Sequence, residues 1–507
     1  MLKKKHDIFF VFLFLFFSSF SQKEINILQS NFLQNIKINN TEFDMFCGDV
    51  IAQFKEHKLY CDTIYISKDG KYVKANSAKR SKITDNKGSK IESKKIEFLK
   101  NDTLINFSQE VVFTKNKNKI NTDYLSYNPD KKIVYYNNGG KLTDEENTII
   151  SKIAKFHTKD GFGEFSENVN MKTSKYLIES DNLEIDNKNE IIFLNSRSKI
   201  FSDNIFMMGN LGVYNKRDEI LSVWGNGFIE TEQRVINCDS IFYDGDKKTS
   251  LFGDIEIEQE KNIQIFCQNL NEFNGISEFT GKPKIKFKSE NGKEIIVEGE
   301  RMKLNDNDSL LYVINKTYIT SDSIQGKCKN SIFNFKTETI CLMENPVLWT
   351  KKSQISGDTI FLFTKNETLD SIYIPNNSFI TSKKLDNYFD QIKGKKLFGN
   401  FKEGNIYKIN LLGNTELKYF ETDLKERISG VNDILCSSIS IVFKDNEIKN
   451  ISFLSLPQAI YTPESLINSE SLILDGFINR FDEKRFWYNY FLWFYYLIYM
   501  VSFSKKK

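Results

Sequence analysis

One short phrase recurs along this chain at a fixed interval, and that interval limits the fold more than any other feature. A polar residue, usually Asp, precedes two alternating apolar residues. It appears as Cys61-Asp62-Thr63-Ile64-Tyr65-Ile66, Thr122-Asp123-Tyr124-Leu125-Ser126-Tyr127, Ser180-Asp181-Asn182-Leu183-Glu184-Ile185, Cys238-Asp239-Ser240-Ile241-Phe242-Tyr243 and Gly357-Asp358-Thr359-Ile360-Phe361-Leu362. The intervals between these Asp residues are 61, 58, 58 and 119. Weaker copies at Ile153-Ala154-Lys155-Phe156, Gly209–Tyr214 and Cys267–Leu270 stand midway, so the period is about 30 residues. A Gly- or Asn-centred phrase falls in the second half of each period: Glu167-Asn168, Gly225-Asn226, Gly253-Asp254, Gly281-Lys282 and Gly413-Asn414. Polar turn clusters such as Asn128-Pro129-Asp130 and Asp186–Asn189 separate the halves.

Within the phrases the alternation is period two, with Leu183 and Ile185 against Asn182 and Glu184. No stretch between 24 and 480 carries a capped, 3.6-residue apolar pattern. Each period therefore reads as a pair of short strands that cannot bury its own apolar face, while stacked pairs can. The expectation is an all-β, elongated array of strand pairs with a continuous apolar interior and end strands able to add strands from a partner. Only 6 Pro occur in 507 residues, as a chain of strands requires.

The charge balance of 70 basic against 67 acidic residues is too even for phosphate neutralisation, so no nucleic-acid partner is expected. Lys3–Lys5, the apolar run Ile8–Phe17 and Ser19-Phe20-Ser21 read as an export signal over 1–21; ten apolar residues are too few to span a bilayer. Export permits disulfides, but the seven Cys show no CxxC pair and read as small core residues. His57 and His157 stand alone and are expected to be exposed, which leaves little material for imidazole catalysis or a metal cluster. Regular spacing also argues against chemistry at Asp62, Asp123, Asp181, Asp239 and Asp358: a catalytic pair needs two carboxylates at one locus. Each is expected at a strand start, bonding nearby backbone N–H groups. No catalytic residue, metal site or cofactor is expected.

Several phrases carry a family resemblance. Gly48-Asp49-Val50 with Lys58-Leu59-Tyr60-Cys61-Asp62 resembles the start of OstA-like proteins of the lipopolysaccharide-transport family. Asn121–Tyr127 followed by Gly139-Gly140-Lys141-Leu142 is similar to the same family's repeat. A third block runs through Asp390–Lys395, Gly413-Asn414, Ser429–Asn432 and Leu474-Asp475-Gly476-Phe477. The resemblance implies a slightly twisted β-jellyroll, open along one side, that shields lipid acyl chains in the periplasm and stacks through its edge strands. By that implication Ile64, Leu125, Leu183, Ile241 and Ile360 line a lipid groove; the alternative is that they only pack against the opposing sheet. The implied partners are lipopolysaccharide and other transport components, and the implied location is the periplasm, in association with the outer membrane.

The organisation read from the sequence is thus a signal over 1–21, a repeat array over 22–384, a β block over 385–480 continuing it, and an aromatic tail over 481–507. Phe486–Phe503 is read as a membrane anchor, an interfacial or partner-binding tail, or an extension of no specific role. A non-enzymatic lipid carrier is the leading reading. The other class is an exported β-solenoid that binds or degrades polysaccharide, which would need acids and bases gathered on one face.

Overall fold

The computed structural model describes residues 25–485, except 100–102, 246, 261, 289–293, 351, 366–367, 386, 403–404, 445–446 and 469–471. The export signal and Phe486–Phe503 lie outside the described residues. Two compact units form, one ending at Ile200 and the other starting at Phe201, a division that falls inside the stretch read as one array. Both are all-β, and their strands pair antiparallel.

The recurring phrases mark corners. In the first unit, Asp62 stands alone on the strand His57–Ser67 where Gly48 and Asp49 face it on Thr41–Phe54, between the pairs Cys47↔Thr63 and Val50↔Cys61. Asp123 opposes Gln109 and Glu110, and Asp181 opposes Glu167 and Asn168, in the same two-against-one arrangement. The second unit repeats it with Asp239 against Gly225 and Asn226. These are β-bulges, which bend a strand and raise its local twist. The doubled residues have left-handed backbone: φ is 79° at Gly48, 43° at Asp49, 61° at Glu167, 55° at Asn168 and 77° at Gly225. The Asp phrase and the Gly/Asn phrase are therefore the two sides of one corner.

Four of the five repeated Asp residues thus lie in the middle of a strand and not at its start, contrary to the sequence expectation. The reason is that each strand continues through the bend: His57–Ser67 has 11 residues and Arg234–Asp244 another 11. Asp358 alone precedes its strand, Thr359–Lys365.

Bending turns each long strand into two halves that belong to facing layers. In the second unit one layer carries a lateral row Val223–Ile241–Leu251–Leu270–Phe279–Met302–Val313, continuing through Ser331 and Leu342 to Ile360. The other layer carries Ile229–Ile236–Ile257–Ile265–Ile285–Val297–Ile319, and further on Leu348–Ile355–Ile380–Ile392–Leu417. The rows meet: Leu342 and Ile360 share one core cluster with Leu348, Ile355, Ile380, Ile392 and Leu417. In the first unit Phe113 packs on Phe156 at 6.4 Å and Phe54 on Phe98 at 5.0 Å, between strands that do not pair. A fully buried Leu, Ile or Phe contributes roughly 1.5–3 kcal/mol and an exposed ion pair at most about 1. The rows therefore dominate stability.

The corner is the most sensitive point of this design. At Gly253 φ is 91°, and a Cβ would overlap the Asp239 carboxylate across the bend. At Gly88 φ is 80°, but a Cβ would meet nothing within 4 Å. Gly253→Ala is expected to destabilise the protein by about 2–4 kcal/mol and Gly88→Ala by about 1. Urea midpoints of the two variants check the difference; equal midpoints would remove the corner from the account.

Candidate functional site

The layers are joined at the corners and end in hairpin turns on the opposite side, so each unit has a seam where the turns of its two layers approach. In the first unit the seam is closed by charge. Lys55 pairs with Asp130, and Lys132 Nζ lies 3.4 Å from Glu56. Just inside, His57 Nε2 and the Tyr127 hydroxyl are 3.4 Å apart. Both rings are buried, which corrects the expectation of an exposed His57. Burial holds the His57 pKa below its ordinary value, against the upward pull of Asp85 and Glu56, and lifts the Tyr127 phenol above its own. Behind them lies an apolar cavity of about 40 Å³ lined by residues including Ala52, Phe54, Leu59, Ile83, Ile96 and Phe98.

In the second unit the seam opens into a cavity of about 580 Å³. Its floor is apolar, with Ile257 and Ile265 from one layer and Phe279 and Leu304 from the other. Its rim is polar and of mixed charge, with Arg234, Lys247 and Lys248 beside Glu232, Glu272 and Asp306. Arg234 stands at the start of Arg234–Asp244 and Glu272 near the end of Ile263–Phe273, on opposite layers. Their bidentate pair, with Arg234 Nη2 donating to Glu272 Oε2 at 2.7 Å, bridges the mouth. Burial and the neighbouring Glu272 raise the pKa of Asp306 beside it. The mouth thus places an apolar floor under a rim of mixed charge, and the volume lies within the ~300–1,000 Å³ range of ligand pockets.

The groove residues named from the resemblance occupy equivalent places. Ile64 and Leu125 share the row Ile64–Ala75–Ile96–Phe107–Leu125, and Leu183 lies in Tyr136–Ala154–Phe165–Leu183–Leu194. Ile241 and Ile360 share the long row of the second unit. All five face the interior and are at most 2% exposed. Sequence reasoning missed the second, Ile-rich layer and the cavity rim. A signal existed: Ile229, Ile236, Ile257 and Ile265 bracket the hairpin turns as regularly as the Asp phrases mark the corners.

The five repeated Asp residues are exposed and stand one to a corner, and they do not converge. Asp62 Oδ2 accepts from the Ala78 N–H at 2.7 Å, and the Asp62 N–H donates to Ser77 Oγ at 2.9 Å. The Asp181 N–H donates to Ser196 Oγ, and Asp358 accepts from the Asn377 side-chain amide. Among the described residues no three His, Cys, Asp or Glu side chains are grouped so as to hold a metal ion. All seven Cys are free thiols, five of them buried; burial pushes Cys61, Cys238 and Cys267 up to about 12. No described helix is long and apolar enough to cross a membrane.

Residues 22–181 match the family model described as OstA-like protein, so this stretch, which holds the first three corner Asp residues, is OstA-like. No curated protein matches the chain. Among solved structures, LptH, the LptA-homologous periplasmic component of the lipopolysaccharide transport device of Pseudomonas aeruginosa, is similar at 10% identity, over 20% of this chain and 75% of its own, with a TM-score of 0.19. The WD40 domain of SCAP from fission yeast is similar at 8% identity, over 67% and 88%, with a TM-score of 0.12. The fold stated here rests on the strand pairing and on neither of these overlays.

His57 supplies a pH test of the seam. With its folded pKa depressed, its neutral form favours the native state: the full contribution is present above about pH 6.5 and is lost as pH falls from there through the folded pKa. Relative to His57→Phe, the natural protein is expected to lose stability between about pH 7 and 5, with a slope of up to about 1.4 kcal/mol per pH unit. Urea unfolding at several pH values reads this; parallel curves would mean that His57 does not titrate on unfolding.

Proposed function

We propose that this protein is a non-enzymatic, periplasmic lipid carrier and scaffold that takes part in moving lipopolysaccharide to the outer membrane, with acyl chains held between its two layers. The observation that carries this reading is the OstA-like stretch, whose strands fold into facing rows of buried apolar side chains. Acyl chains enter by the seam and replace row-to-row contacts, while Lys247 and Lys248 on the mixed-charge rim face phosphate groups of the head. The five row residues Ile64, Leu125, Leu183, Ile241 and Ile360 become lipid contacts when the layers part. Separating the layers leaves the corners intact, because the hydrogen bonds there run along each bent sheet.

Edge strands offer the route to neighbouring transport components. Asn26–Gln29 and Phe32–Ile38 pair only with Thr41–Phe54 among the described residues, and Leu28, Phe32 and Leu33 are exposed on them. Among the described residues Gln458–Pro463 pairs only with Ile428–Lys444, and it exposes Ile460 and Tyr461. Such edges accept an added strand.

Photocrosslinking tests the carrier. A photoreactive residue in place of Leu125 or Ile241 is expected to crosslink to lipopolysaccharide in cells, and one in place of the outward-facing Tyr135 or Trp224 is not. Crosslinks from the outer face alone, or none from the interior of a folded protein, would contradict it. Depletion separates the polysaccharide-acting reading: loss of a carrier traps lipopolysaccharide before the cell surface, and loss of a polysaccharide enzyme does not.

A further inference from the structure

Three buried glutamines in the second unit have no part in the interior. Gln325, Gln354 and Gln391 are 2%, 1% and 0% exposed. They lie in one lateral row, Gln325–Trp349–Gln354–Thr381–Gln391. This row is one residue out of step with Leu348–Ile355–Ile380–Ile392, so it occupies the other face of the same layer, away from the interior. An uncharged amide buried on an outer face is costly unless something there satisfies it.

What satisfies all three is the chain's own segment 472–485. The Gln391 side-chain nitrogen donates to the Leu472 carbonyl, and its Oε1 accepts from the Leu474 N–H, both at 2.8 Å. Gln354 repeats the clamp, donating to the Ile478 carbonyl at 2.8 Å and accepting from the Arg480 N–H at 2.9 Å. Gln325 donates to the Arg485 carbonyl at 2.8 Å and accepts from the Arg485 N–H at 3.0 Å. A primary amide donates and accepts at once, so each glutamine treats the segment as a sheet treats a neighbouring strand.

The spacing is consistent with a segment made for this row. Alternate strands of a sheet are roughly 10 Å apart, whereas five or six extended residues span roughly 17–20 Å. The segment takes up the excess with turns between its clamps, Phe477 N–H to the Leu474 carbonyl at 3.1 Å and Glu483 N–H to the Arg480 carbonyl at 3.1 Å. Phe477 packs on Phe379 and Phe389, and Phe481 stacks on Phe389 at 6.2 Å and packs against the Tyr318–Val347–Trp349 cluster. Charge adds a further tie: Lys327 Nζ lies 2.6 Å from Glu483, and Arg485 pairs with Glu298.

We infer that Gln325, Gln354 and Gln391 form an intramolecular docking site that recognises extended peptide backbone, and that residues 472–485 are its occupant, a strap across the outer face of the second unit. The strap runs back from the Tyr388–Gly394 strand to the Gln325–Cys328 strand. Arg485, the last described residue, therefore lies beside Glu298 and Tyr318, and not beside Gln458–Pro463.

Trypsin reads strap docking directly, because Arg480, Lys484 and Arg485 lie within it. In the full-length Gln354→Leu/Gln391→Leu variant, cleavage after these residues is expected to accelerate by about tenfold or more, with cleavage elsewhere in the body unchanged. Unchanged strap cleavage would overturn the inference. Should the variant lose its body protection as well, amide exchange in the unaltered protein decides: slow exchange at Leu474, Arg480 and Arg485 supports the strap, and exchange at the rate of an unstructured peptide overturns it.

Discussion

The contact between two apolar rows, one on each half of a bent sheet, is what the rest of the structure depends on. A flat sheet of these strands would leave its Ile and Leu face in water. Bulges fold the sheet on itself, and the left-handed backbone they need explains the Gly and Asn residues at the corners. The same bend leaves hairpin turns of both layers together along a seam, where charge and cavity shape then decide access. Corner, core and mouth are consequences of one operation repeated along the chain.

That operation separates the strand framework from the surface proposed for recognition. Corner hydrogen bonds and lateral strand pairing run within each bent sheet and do not depend on how closely the layers approach. The interior rows supply most of the favourable energy, yet they are also the surface that an acyl chain could cover. Row-to-row and row-to-lipid contacts are similar in kind, so on the proposed reading exchange of one for the other is nearly neutral. The two seams differ accordingly: ion pairs and a buried His–Tyr contact close one, and the Arg234–Glu272 pair crosses the wider mouth of the other.

Much of this was legible in the sequence. The period of the Asp phrases gave the repeat that the corners follow, alternation at Leu183 and Ile185 located an interior face, and the absence of a sustained helical pattern argued against long helices. What local reading could not supply was the partner of each phrase. Asp62 looks like a strand start because polar residues usually begin strands; only pairing shows it opposite Gly48 and Asp49, inside a longer strand. His57 looks exposed beside Glu56 and Lys58, and the fold buries it against Tyr127, 70 residues away. The outer-face glutamines are polar residues in strands, which a two-period pattern assigns to solvent; their covering segment is 81 to 160 residues distant in sequence.

The central claim is that the interior grips apolar chains, and the dependence of affinity on chain length tests it most directly. For a series of monomeric acyl phosphosugars that differ only in acyl length, each methylene buried between the layers contributes about 0.8 kcal/mol, or roughly a fourfold gain in affinity. Isothermal titration of the full-length protein should show affinity rising at about that rate until the chain exceeds the available interior. Affinity independent of chain length, and set instead by the sugar or phosphate alone, would contradict the account.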